Sequence, residues 1–183
     1  MTTTQTPPRH RLEREIKFLQ TIQDRIKNDT GAKAAFKRAL SGEHYHLRKV
    51  YPCTLPYLAD IHEQQQHLWI FVACLAIYHD QDSEPAPRNF AQSCLDLQNS
   101  TESKGPERRF RTLLDTDLAD IQSPITALVR QIKSKKDKNI PVYYPQLIAD
   151  LCFWDHPDQF IQDQWAKTFW RATSPSNKPD EAD

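Results

Sequence analysis

Glycine is nearly absent, with three residues in a chain of 183. So little glycine cannot supply the loops that bring backbone amides onto phosphates, and Rossmann and Walker-type nucleotide sites are excluded. The four cysteines, Cys53, Cys74, Cys94 and Cys152, include no CxxC pair and are too sparse for a secreted disulfide scaffold. Cys74 and Cys152 stand inside apolar runs and read as small core residues in a reducing compartment. No apolar run approaches the length of a membrane span; Leu68 to Tyr78, 11 residues, reads as a core helix. An apolar signal region is also missing at the start, so a soluble cytoplasmic protein is expected. Net charge is zero, from 24 basic and 24 acidic side chains. That excludes a globally basic nucleic-acid binder, but not a locally basic face.

What the chain does hold is enough apolar material for a core. Hydrophobic residues make up 38%, including 4 Trp, 6 Tyr and 8 Phe. The length suits one domain, or two small helical lobes sharing a core. Strand patterns are missing apart from Ile140–Tyr143, too short to build a sheet. Leu12, Ile16, Leu19, Ile22 and Ile26 recur at helical spacing and predict a helix from about Arg9 to Asn28. Gly31 and Gly42 bracket a second helix carrying Ala34, Ala35, Phe36 and Leu40. Arg48 and Lys49 follow in a loop, and Leu55–Ile61 is a short third element. Gln66–Tyr78 is a central helix, and residues 79–87 are a polar linker.

Further helices are predicted beyond the linker. Phe90–Leu97 is short; Pro106 opens the next, ending near Leu114; Ser123 caps the one begun by Pro124; and Pro145 opens another. Pro157 opens the last, in which Phe160, Ile161, Trp165 and Phe169 face the core. The expected fold is all-α, eight or nine helices in two small helical-bundle lobes, with no significant sheet. Residues 9–78 form an N-terminal lobe and 88–171 a C-terminal lobe, with flexible termini at 1–8 and 174–183.

Charge alternates along the chain. Residues 1–50 carry net +6, 51–100 net −5, 101–140 net +3 and 141–183 net −4. Lys33, Lys37 and Arg38 share one short helix, with Lys33 and Lys37 one turn apart. Arg108, Arg109 and Arg111 open the helix after Pro106, where the helix dipole disfavours cations and an anionic partner is expected. Lys133, Lys135, Lys136 and Lys138 gather at a helix C-terminus, which favours cations in any case. Either phosphates or internal acids such as Asp115 satisfy these groups.

Catalytic and metal chemistry find little support. His44/His46 and His62/His67 have no metal-ligand spacing, and Pro85 stands where the turn glycine of an Asp80-x-Asp82-x-Glu84 calcium loop would be. The acidic pairs Asp115/Asp117 and Asp150/Asp155 read as solvated or salt-bridged groups. Cys152 and His156 are four apart, but His156 precedes Pro157 and marks a helix junction rather than a catalytic couple. No catalytic residue, metal or cofactor is expected.

The second half is nonetheless distinctive. ERRFRTLLDTD at 107–117, ITALVRQIKSK, IPVYYPQLIADLCFWDHP and QWAKTFW at 164–170 follow one another in a fixed order. Together they resemble the small subunit of the type I-E CRISPR surveillance complex Cascade, the CasB family. The resemblance rests on Arg108-Arg109-Phe110, Leu113-Leu114, Arg130, Leu147, Asp150-Leu151, Trp154, Trp165-Ala166 and Phe169-Trp170. AAFKRAL at 34–40 and LWIFVACLAIYH at 68–79 agree more loosely. The chain departs from the family pattern at RNFAQSCLDL, which lacks a glycine, and in its neutral charge.

The resemblance implies a non-catalytic subunit of two helical lobes. It would stabilise the R-loop by contacting the DNA backbone and would bridge subunits. Implied partners are the Cascade backbone subunits, the large PAM-recognising subunit, a second copy of the chain and the displaced DNA strand. By position Arg38, Arg108, Arg109 and Arg130 are the leading DNA-facing residues, followed by Lys37, Arg111, Lys133, Lys135 and Lys136. Trp154, Trp165 and Phe169 are core by helical spacing, and Trp170 is a candidate subunit contact. The competing reading is a helical scaffold or adaptor that binds protein alone, with a helical enzyme as a third.

Overall fold

A computed structural model of the chain describes residues 12–171. The expectations for 1–8 and 174–183 lie outside them, as does the start of the first helix. The described residues form nine α-helices: α1 (Glu13–Ile26), α2 (Thr30–Ala39), α3 (His44–Thr54), α4 (Glu63–His79), α5 (Phe90–Asn99), α6 (Gly105–Leu114), α7 (Gln122–Ser134), α8 (Tyr144–Cys152) and α9 (Phe160–Arg171). Single 3-10 turns lie at Leu55–Tyr57, Leu118–Asp120 and Lys136–Lys138, and no strand occurs among the described residues. The all-α fold is the one expected.

The core is organised around α4. Its residues from Leu68 to Ile77 are buried without a break, so the helix has no solvent face over three turns. A helix apolar all round must be enclosed, and α4 packs against α2, α7, α8 and α1. It ends at Asp80, which closes it in the left-handed conformation at φ 46°. A second group of contacts joins α5 to α6, α7 and α9. There Phe110 stacks on Phe169 with centroids 4.4 Å apart, and Trp154 meets Trp165 edge-on at 5.0 Å. Trp154, Trp165 and Phe169 are all buried, as their spacing requires.

Several local expectations are corrected. Arg48 and Lys49 lie on α3, not in a loop. Pro52 falls near the end of α3, where one amide is lost and the helix still closes on Thr54. Ser123 does not cap α7: the helix runs on from the preceding 3-10 turn through Ile121, and no side chain caps it. α9 starts at Phe160, three residues after Pro157, because Gln159 takes φ 48°. Phe160 therefore sits at the helix mouth, 41% exposed, rather than in the core. Cys152 is half-buried, whereas Cys74 is buried.

Asp150 is the largest correction. It is 2% exposed and has no ion pair among the described residues. Its carboxylate instead accepts hydrogen bonds from Gln146 Nε2 at 2.8 Å and Trp165 Nε1 at 2.7 Å. Burial pushes its pKa up to about 6 against the pull of those two donors.

Candidate nucleic-acid interface

The basic residues of the two halves meet at one end of α4. Lys37 stands in the last turn of α2 and Lys133 in the last turn of α7, and both helices pack on α4. The Lys133 ammonium lies 4.1 Å from the Tyr78 ring centroid and donates to the Tyr78 carbonyl. Its pKa is lowered by burial first, then by the positive charges of Lys37 and Lys136, with Asp80 opposing them. Three cations from opposite halves of the sequence thus share one field. His79, beside them, is pushed down to about 4 by burial and by Lys133, against Asp80, so its ring is neutral near pH 7. Tyr144 Oη lies 3.0 Å from its Nδ1. A cleft of about 350 Å³ opens here, lined by Lys133, Lys135 and Lys136 and also by Asp80 and Asp82.

The arginines of α6 divide into two kinds. Arg111 is held internally: its guanidinium bonds Glu107 Oε1 at 2.8 Å and covers the Trp170 ring at 4.8 Å. This contact holds the Glu107 carboxyl below the usual range, chiefly through the Arg111 hydrogen bond. Arg108 and Arg109 are exposed, with no hydrogen bond or ion pair from their side chains among the described residues. The Arg109–Asp115 bridge is absent from the described ion pairs. The dipole argument needs correction too. α6 begins at Gly105, so its first turn holds Glu107, and the two arginines start the second.

Arg38 on α2 and Arg130 on α7 are exposed and have no acid partner among the described residues. Trp170 is half-buried on Phe110 and Phe169 rather than free on the surface. Sequence reasoning passed over Tyr45 and set Arg48 and Lys49 in a loop, whereas His44, Tyr45, Arg48 and Lys49 are all exposed on α3. The signal was present in Leu47, Val50, Tyr51 and Thr54, a buried or half-buried stripe at helical spacing that places those four on the opposite side.

Residues 32–170 match the family model of the CRISPR-associated protein Cse2. The chain belongs to the Cse2 family. Proteins of this family are non-catalytic structural subunits, and the chain is not an enzyme. It is 26% identical to the CRISPR-associated protein Cse2 of Thermus thermophilus over 162 residues, 87% of this chain and 90% of that one. Its fold is similar to the M. ruber CasB crystal structure, with TM-score 0.75 and 24% identity, covering 87% of this chain and 94% of that one. It is similar too to a chain of a CRISPR RNA-guided surveillance complex, with TM-score 0.68 and 18% identity over 87% of this chain and 92% of that one. Among the described residues no group of three or more His, Cys, Asp or Glu could hold a metal ion, and no helix is long and apolar enough to cross a membrane.

Proposed function

We propose that the chain is the small subunit of a type I-E Cascade-like complex and stabilises the R-loop by contacting the DNA phosphate backbone. The observation that carries this reading is the cleft lined by Lys133, Lys135 and Lys136, with Lys37 on α2 near enough to add its charge to theirs. Like charges held together cost free energy unless a polyanion relieves them, and a phosphate strand does so without reading sequence. Exposed Arg108, Arg109, Arg38 and Arg130 extend the set of cations available to phosphates. Guide–target pairing then supplies specificity, while this subunit supplies positive potential. Its partners are the backbone subunits, the large PAM-recognising subunit, a second copy and the displaced strand, in the cytoplasm. The two-lobe division at 9–78 and 88–171 belongs to the same reading.

The test is the double substitution of Arg108 and Arg109 by Ala in the assembled complex. R-loop stability should fall about equally for all target sequences, and the salt slope should drop by up to about two, one for each phosphate no longer engaged. The unfolding free energy should not change, since neither side chain has an internal partner among the described residues. An unchanged salt slope with loss of folding stability would overturn the assignment.

A protein-only adaptor is favoured by a different corner. Phe153 and Phe160 are 53% and 41% exposed, with ring centroids 6.1 Å apart. The neighbouring cleft is lined by Asp115, Asp117 and Asp155. Such a surface repels phosphate and suits a protein contact. If Phe153→Ser removes the subunit from the complex while the α6 arginines prove silent, the adaptor reading stands alone.

A further inference from the structure

The most exposed large apolar side chain of the described residues lies on a cationic helix face. Tyr45, in the first turn of α3, is 58% exposed. Lys49, one turn on, places its ammonium 4.3 Å from the ring centroid. His44 and Arg48 are also exposed and complete the face. The four occupy positions i, i+1, i+4 and i+5, one side of the helix, with Val50 and Thr54 buried on the other. The described acid nearest in sequence, Glu43, is turned to His46 at 3.5 Å. Arg48 and Lys49 have no ion pair among the described residues, and α3 packs on α2, the helix of Lys37 and Arg38.

An exposed aromatic ring beside cations that have no acid partner among the described residues matches the chemistry of an unpaired nucleotide. The base stacks on the ring, and the flanking phosphates meet the cations. A duplex has no base face to offer, because its bases are already stacked on one another. An acidic peptide would satisfy the cations but leave the ring unused. We propose that this face of α3 is a single-stranded DNA contact in which Tyr45 stacks on an unpaired base while Arg48 and Lys49 take adjacent phosphates. The inference rests on the phosphate-binding reading above and adds to it a base contact at a place apart from the α6 arginines.

The experiment compares an oligothymidylate with an abasic oligomer of the same length, each bound to the full chain at low salt and followed by fluorescence anisotropy. Wild type should prefer the oligothymidylate by about tenfold. Tyr45→Ala should abolish the preference, Tyr45→Phe should keep it, and Lys49→Gln should weaken both ligands alike. Circular dichroism of each variant should be unchanged, since the ring is outside the core. If Tyr45→Ala retains the preference, the stacking contact is overturned while phosphate binding stands. If wild type binds both oligomers equally, the base contact likewise falls. If it binds neither, the α3 site is overturned, and the α6 arginines are judged separately by the salt slope of the assembled complex.

Discussion

The indole N–H of Trp165 donates to Asp150 Oδ2 at 2.7 Å, and both residues are buried. The bond ties α8 to α9 through a carboxyl group with no ion pair among the described residues. Burial raises the Asp150 pKa from 3.8 to about 6. Between those values the folded state holds a proton that the unfolded state has released, so stability should fall as pH rises from about 4 to about 6. The shift of roughly two units corresponds to at most about 3 kcal/mol. Asp150→Asn should flatten this window in urea titrations at several pH values. An unchanged slope would mean that Asp150 binds its proton equally in the folded and unfolded states.

Trp154→Ala should cost about 3–5 kcal/mol. The side chain is 2% exposed, packs edge-on against Trp165, and donates its indole N–H to the Thr116 carbonyl at 2.9 Å. Truncation leaves both a cavity and an acceptor without its donor. Chemical denaturation checks the value, and a change below about 1 kcal/mol would contradict the packing.

Lys37→Met should leave folding stability within about half a kcal/mol, because the like charge removed from beside Lys133 is offset by the loss of a cation in the last turn of α2. The same change should weaken R-loop retention in the assembled complex. Affinity lost at nearly constant stability is the expected signature of a cation kept for a ligand. A loss of both would assign Lys37 to the fold instead.

Gly42→Ala should cost about 1–2 kcal/mol through the backbone alone. Gly42 links α2 to α3 at φ 77°, and an added Cβ would meet nothing within 4 Å. Thermal unfolding measures the cost. A neutral result would show that the turn relaxes to negative φ.

Much of the architecture is legible in the sequence because burial sets a period. The unbroken run in α4, the burial of Trp154 just past α8 and of Trp165 in α9, and the all-helical class follow from spacing alone. The misreadings occur where a single residue outweighs the period. Arg48 and Lys49 were read as a loop although they stand on α3, and Tyr45 beside them was missed. Pro157 suggested too early a start for α9 and drew Phe160 into the core. Asp150 was read as solvated because a carboxylate's sequence neighbours do not reveal a tryptophan fifteen residues on that donates to it. Nor does sequence disclose which cations are occupied. Arg111 and Arg109 are two residues apart, yet one is locked to Glu107 and Trp170 and the other has no partner among the described residues.

The enclosure of α4 has a mechanical consequence. The helix offers no dry face on which a neighbour could slide, since each turn from Leu68 to Ile77 is gripped on all sides. The ends of α2 and α7 that carry Lys37 and Lys133 are braced against this one axle. Their spacing cannot adjust without opening close-packed interior. On the proposed phosphate-binding reading, a strand passing over them would meet a rigid template, and the bending work of docking would fall on the nucleic acid rather than on the protein.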